Sequence, residues 1–310
     1  MNANRKRVVI AGGSGLIGSV LAKELTARNH EVVVLTRSPK PRADGIKEVE
    51  WDGEHVGEWI QFLNGAEAVV NLTGKSINCP HTPENIQEMI ASRVNSVNAI
   101  GGGIFHINPP PKVWVQASAI GFYGDQQDRI CTEDSPAGSD TLAEICKQWE
   151  ATFAEAKTPK IRKVLLRIGP VLARNGGMLP VLEKLTRRFL GGRAGSGKQF
   201  ISWIHLQDLM RLFVDAIGRE DMSGTFNAVA PEPATNEDFM YELREILHRP
   251  WSPPAPEWAV RFGSRWMKTE PSLALTGCRA MPQKLSESGF LFEFQDLRAA
   301  FKSLFAQKAQ

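Results

Sequence analysis

Short aliphatic and β-branched runs alternate, through the first half of the chain, with stretches whose apolar positions recur at helical spacing. "RVVIA" (Arg7 to Ala11) is followed by glycines. Leu16, Val20, Leu21 and Leu25 then mark one face of a helix over Leu16 to Arg28. "EVVVLT" (Glu31 to Thr36), "KEVEWD" (Lys47 to Asp52) and "EAVVNLTG" (Glu67 to Gly74) are the next strands. A long helix is predicted from Pro83 to about His106. "KVWVQAS" (Lys112 to Ser118) and "RKVLLRIG" (Arg162 to Gly169) flank another helix that contains Lys147. Strands that read as unbroken apolar runs, separated by helices, predict a parallel sheet covered on both faces. The fold class is therefore α/β, a doubly wound Rossmann-type sheet.

After about residue 170 the pattern changes. Gly and Pro cluster at Gly176-Gly177, Gly191-Gly192, Gly195 to Gly197, Pro231 to Pro233 and Pro253 to Pro256. Helical spacing recurs near Asp208 to Ile217, Asn236 to Leu247 and Leu297 to Phe305. This predicts a dinucleotide-binding domain over 1–170 and a smaller mixed substrate lobe over 171–310, interleaved so that 205–227 partly returns to the first domain.

With 310 residues, 42% apolar and 23% charged, the chain has the composition of a globular protein with a sizeable core. Its 37 basic and 34 acidic residues leave a net charge of +3. That balance argues against a nucleic-acid partner, and no apolar run approaches the ~20 residues of a membrane span. Met1 to Arg7 lacks the apolar core of a signal peptide. Cys79, Cys131, Cys146 and Cys278 show neither zinc-site nor disulfide spacing. A cytoplasmic protein acting on a small molecule, without a metal, is the expectation.

The first candidate site is the turn "VVIAGGSGLIG". Gly12 suits the tight turn, Gly15 allows a pyrophosphate to approach the backbone, and Gly18 allows close helix–sheet packing. The turn residues Gly12, Ser14, Gly15, Leu16, Ile17 and Gly18 are the expected phosphate cradle. An NAD site ends its second strand on an acid that takes the ribose hydroxyls. Here that strand ends "VLTRSPK", with Arg37 and Lys40 and no acid, which predicts NADP(H). "GRAGSGKQ" (Gly192 to Gln199) nearly spells an ATP-binding P-loop. However, Gln199 stands where a magnesium-reaching Ser or Thr is needed, and the flanking patterns are wrong. It reads as a glycine-rich substrate loop, and a P-loop ATPase is a remote reading.

Taken in order, "GGSGLIG", "NLTG", "SAIGFYG", "CKQWE", "GSGKQFISWIHLQDL", "FNAVAPEPATNEDF" and "MPQKLSESGFLFEF" resemble an atypical extended branch of the short-chain dehydrogenases/reductases. The branch is that of the "epimerase family" proteins related to nucleotide-sugar epimerases, and the resemblance covers almost the whole chain. It implies that Arg37 and Ser38 hold the 2′-phosphate, that Asp52 lies near the adenine, and that Asn71, Leu72 and Gly74 line the ribose side. Ser118 would be the active-site serine, Lys147 the lysine of the nicotinamide ribose, and Ile168 a neighbour of the nicotinamide ring. In this superfamily a tyrosine precedes that lysine by four positions. In "DTLAEICKQWE" the residue is Ala143, which carries no proton. Hydride transfer also needs a proton donor or acceptor, so Tyr123 and His205 become the candidates, with packing as the alternative for each. Gln199, Ser202 and Trp203 are expected to line the substrate pocket. Two functions follow: an NADP(H)-binding oxidoreductase or epimerase-like enzyme of unknown substrate, or a non-catalytic NADP(H)-dependent binding or regulatory protein.

Overall fold

The computed structural model describes residues 5–158 and 160–306. Seven strands form one all-parallel sheet: β1 (Arg7–Ala11), β2 (Glu31–Thr36), β3 (Lys47–Glu50), β4 (Ala68–Asn71), β5 (Val113–Ala119), β6 (Arg162–Ile168) and β7 (Gly224–Ala228). Their order is β7-β6-β5-β4-β1-β2-β3. The helices α1 (Leu16–Ala27), α2 (Pro83–Phe105), α3 (Thr141–Glu155), α4 (Leu179–Arg187) and α5 (Leu206–Gly218) follow the strands or cap the crossovers, and α1 packs on α5 as α2 packs on α3. Inner strands such as β1 and β4 are buried on both faces, which is why their sequences carry no alternation.

The strand order reverses between β1 and β4. Chains leaving the carboxyl ends of those two strands diverge and open a crevice. Ala11 pairs with Asn71 at this point, and Leu72 N–H donates to the Ala11 carbonyl at 2.9 Å.

The second half is interleaved with the first. Leu209, Leu212, Phe213, Ala216 and Ile217 of α5, with Phe226 and Ala228 of β7, belong to the same apolar core as the sheet. A second core holds Leu172, Leu179 and Trp203 against α6 (Asn236–Ile246) and α8 (Leu297–Ala306), through Phe239, Leu243 and Phe301. Between these last two helices lies α7 (Glu257–Met267), of which only Ser264 is buried. Among the described residues, no helix is long and apolar enough to cross a membrane.

Candidate cofactor cleft and the polar network beside it

The glycine turn is built as its sequence requires. Gly12 has φ +80°, and a Cβ there would lie 2.9 Å from the carbonyl carbon and oxygen of Leu72. A Cβ on Gly18 would lie 2.5 Å from Gly12 O. Both contacts are with backbone, so neither glycine has room to give. Gly15 is the N-cap of α1, and no side chain caps the helix. The first-turn amides of Leu16 and Ile17 therefore have no intrahelical acceptor and face the mouth of the crevice with the positive end of the helix dipole. Ser14 is exposed beside them.

Beyond β2, Arg37 and Ser38 are exposed, and Arg37 makes no ion pair or hydrogen bond among the described residues. Of the acids nearby, Glu50, opposite Thr36 in the sheet, is exposed without a partner, while Glu48 and Asp52 are occupied. Glu48 accepts from Arg42 and from the amide of Lys40. Asp52 accepts the amides of His55 and Glu54 and the His55 ring, which holds its carboxyl down at about 2. Asp52 thus closes its own turn with its side chain.

At the end of β4, Asn71 is fully buried. Its amide donates to Ser96 Oγ and Gln116 Oε1, and its carbonyl oxygen accepts Thr73 N–H. It shapes the loop by fixing Thr73, and its side chain lines nothing. Leu72 and Gly74 are left on the crevice side, and the buried Thr73 hydroxyl has no partner.

The residues expected to perform chemistry lie elsewhere. Ser118 is 4% exposed, and its hydroxyl donates to Glu150 Oε1 at 2.6 Å. Glu150, on α3, is held by Arg167 through Nε at 3.0 Å and Nη2 at 2.8 Å. Arg167 Nη1 also donates to the Tyr123 hydroxyl at 2.9 Å, and Tyr123 donates to Asn227 Oδ1 at 2.7 Å. Asn227 N–H in turn donates to Glu133 Oε1. This closed network ties β5, β6, β7 and α3 together. Tyr123 has no exposed surface, and burial pushes its pKa up to about 12. In this arrangement the hydroxyl is committed to Arg167 and Asn227.

His205 is equally committed. Its Nδ1 accepts Gln207 N–H to cap α5, its Nε2 meets Ser303 Oγ at 3.1 Å, and its ring lies 3.9 Å from that of Phe294. Burial pulls its pKa down to about 4, so it is neutral at pH 7.

Lys147 leaves the crevice as well. It pairs with Glu144 at 2.6 Å and lines a surface hollow with Phe122, Ala151, Lys163, Leu165 and Thr225, on the side of α3 toward β6 and β7. The i, i+4 pair of α3 turned toward the loop after β5 is Leu142 and Cys146. A Cβ on Gly121 would lie 3.4 Å from Leu142 Cβ and 3.8 Å from Cys146 Sγ. Neither is an acid or base at neutral pH, because burial drives the Cys146 thiol up to about 12. Ala143 is fully buried, and its amide is capped by Asp140.

The expected pocket residues are internal ties. Gln199 donates to the carbonyls of Ala194 and Ala274, Ser202 bridges Cys278 O and Ala280 N–H, and Trp203 donates to Glu232 O from within the second core. The loop from Gly192 to Gln199 spends its amides on its own surroundings, with Ala194 N–H on Asn236 and Gly195 N–H on Ala255 O. Ile168, at the end of β6, pairs with Ala119 and Ala228 and is 9% exposed.

Residues 8–228 match the NAD dependent epimerase/dehydratase family, and residues 255–304 match a domain of unknown function, DUF1731. The chain belongs to the NAD dependent epimerase/dehydratase family. Within this epimerase family it is similar to the Arabidopsis thaliana epimerase family protein SDR39U1 homolog, chloroplastic, with 32% identity over 96% of this chain and 86% of that one. The human epimerase family protein SDR39U1 is 33% identical over 97% of this chain and 100% of its own length. The crystal structure of that human protein (isoform 2), solved with NADPH, superposes with a TM-score of 0.87 at 31% identity, covering 97% and 99% of the two chains. The UDP-N-acetylglucosamine 4-epimerase of Bacillus cereus, at 17% identity and a TM-score of 0.72 over 98% of this chain and 96% of that one, shares the epimerase fold.

Two groups near the crevice escaped the sequence reading. The unpartnered Thr73 hydroxyl carries no sequence signal. Arg93 carries a clear one, since it falls at helical spacing among Met89, Val97, Ile100 and Ile104 on the buried stripe of α2.

Proposed function

We propose that this chain is an NADP(H)-binding oxidoreductase or epimerase-like protein acting on a small molecule, with no proton-transfer residue of its own at the usual place. The observation that carries the cofactor is the pairing of an uncapped α1 N-terminus with an unpaired Arg37 and no acid in the chain directly after β2. The amides of Leu16 and Ile17 bind the pyrophosphate, and Arg37 with Ser38 takes the 2′-phosphate. Leu72 to Gly74, with the free Thr73 hydroxyl, border the ribose side, and Ile168 supplies an apolar wall toward the nicotinamide. The NADPH in the human relative's structure supports this choice. When bound, the nicotinamide supplies the hydride acceptor or donor. The proton comes from the substrate or from water, because Ser118, Tyr123 and His205 are each engaged in the protein interior. The unpaired thiols favour a reducing, cytoplasmic setting.

The test is a calorimetric titration. NADPH should bind at least ~10-fold tighter than NADH, since a charge-assisted contact is worth about 1.5–3 kcal/mol, and Arg37→Ala should remove most of the difference. Equal affinities for the two dinucleotides would overturn the assignment.

The locked positions of Tyr123 and His205 also favour a second reading, a non-catalytic NADP(H)-dependent regulatory protein. Tight NADPH binding, with no turnover across aldehydes, ketones and nucleotide sugars, would select it.

A further inference from the structure

Helix α7 turns an aromatic stripe to solvent. Trp258, Phe262 and Trp266 are 73%, 73% and 84% exposed, and Met267 beside them is exposed as well. Residues four apart on a helix are neighbours, so the three rings stand one above the other. Only Ser264 of α7 is buried, and no residue of the helix belongs to an apolar core formed by the described residues. A helix of eleven residues is marginal in water unless one of its faces is packed. A contiguous aromatic surface left open marks a contact surface.

The order of residues along the stripe says what covers it. Trp258, Phe262 and Trp266 read the same in both directions about Phe262. A contact between two copies related by a two-fold axis must be complementary to itself. Two α7 helices packed antiparallel about Phe262 set Trp258 of each copy against Trp266 of the other, with Phe262 against Phe262 at the axis. Charge selects this arrangement over the parallel one. Glu257 opens the helix, while Arg265 and Lys268 end it, and neither of those two cations makes an ion pair among the described residues. Glu257 accepts from Arg261 of its own helix through Oε1 alone, which leaves Oε2 for a second cation. Antiparallel packing brings Glu257 of one copy within about 3 Å, measured along the axis, of the level of Arg265 of the other. It also opposes the two helix dipoles, whereas parallel packing would stack like charge on like charge. The area is sufficient for a small interface. At ~200 Å² for a whole aromatic side chain, the three rings present about 450 Å² per copy, or about 900 Å² for two. Met267 and the aliphatic stems of Arg261 and Arg265 extend this toward the ~1,200 Å² at which stable interfaces begin.

We propose that α7 is the centre of a two-fold interface between copies of this chain, packed antiparallel on the stripe of Trp258, Phe262 and Trp266 and flanked by Glu257–Arg265 pairs between the copies. An interface at the small end of the range gives a monomer–dimer equilibrium in the micromolar range. None of these residues is assigned to the cofactor, so the interface is independent of the NADP(H) reading.

Sedimentation velocity of the full chain in reducing buffer, from about 1 to about 100 μM, reads the equilibrium. Wild type should pass from monomer toward dimer over that range. Phe262→Glu enters the interface twice and should weaken self-association about 100-fold or more. Its melting temperature at the lowest concentration should match wild type, because the side chain is exposed. Cysteines introduced in a Cys79→Ser background then read the geometry under mild oxidation at about 100 μM. Phe262→Cys should link to itself. Trp258→Cys and Trp266→Cys should link to each other in an equimolar mixture, and neither should link to itself. A wild type that stays monomeric, together with no cross-link through Phe262→Cys, overturns the proposal. So does a dimer that Phe262→Glu leaves intact, which would lie on another face, and so does self-linking of Trp258→Cys, which reports the parallel arrangement. Pelleting of a monomeric wild type with phosphatidylserine vesicles, lost in Phe262→Glu, would give the stripe to a lipid surface and overturn it as well.

Discussion

Replacing Arg167 by methionine removes the centre of the buried network while keeping the length of the side chain. Arg167 and Glu150 have side chains only 7% and 12% exposed, and two guanidinium nitrogens bond the carboxylate. Breaking a buried pair from one side costs about 3–5 kcal/mol, because a desolvated charge is left behind. Ser118 still donates to Glu150 at 2.6 Å, which places the expected loss near the lower end, about 3 kcal/mol. The Tyr123 hydroxyl and the Glu133 carbonyl also lose a donor. A loss of that size is a large share of a typical 5–15 kcal/mol total. Urea unfolding followed by tryptophan fluorescence reads it as a lowered midpoint. Replacing the partner as well, in Glu150→Leu/Arg167→Met, should recover most of the loss, since no charge is then stranded. A single variant within about 1 kcal/mol of wild type, or a double variant no better than the single, would refute the claim that this network is a mutually dependent buried ion pair.

His205 should make stability pH-dependent. Its folded pKa, about 4, lies below the ordinary 6.5, so its contribution is complete above pH 6.5 and is lost as pH falls toward 4. The most it can cost is about 3 kcal/mol, and His205→Asn should abolish the slope between pH 6.5 and 5 seen in urea midpoints. Ala143→Tyr should destabilise by 1–3 kcal/mol or more, since the site is fully buried, and should raise no turnover with NADPH; a gain in rate would show that position 143 reaches the reacting centre. Lys147→Ala should leave NADPH affinity within about twofold, because no contact across the cleft is lost; a tenfold drop by calorimetry would return Lys147 to the cofactor. Brief iodoacetamide treatment of the folded protein should label Cys79 alone, since Cys131, Cys146 and Cys278 are buried and burial raises their pKa values; mass spectrometry of peptides decides this.

The parts of the fold that were legible were those where a local pattern carries the signal. Apolar runs and the glycine turn sufficed for six strands and the cofactor crevice. β7 escaped because its five residues include Asn227, and the polarity of that residue makes sense only through Tyr123, Glu133 and Met281, which are far away in sequence. The catalytic assignments were exposed to a one-residue problem. Adjacent residues of a strand point to opposite faces, so Ser118 turns beneath α3 with its cross-strand partner Arg167. One residue of helix rotates a side chain by about 100°. That separates the inward Cys146 from the outward Lys147. Gln199, Ser202, Trp203 and His205 read as pocket chemistry because they are polar or aromatic beside a glycine-rich loop. Their hydrogen bonds instead connect segments dozens of residues apart, which no local pattern encodes.

In a crystal structure of the NADPH complex, the pyrophosphate should lie on the amides of Leu16 and Ile17 and the 2′-phosphate on Arg37. No hydroxyl or imidazole from Ser118, Tyr123 or His205 should stand beside the nicotinamide C4 within hydrogen-bond reach of a substrate oxygen. A complex in which Tyr123 leaves Arg167 and Asn227, or His205 leaves Gln207 and Ser303, to stand beside C4 would contradict this arrangement.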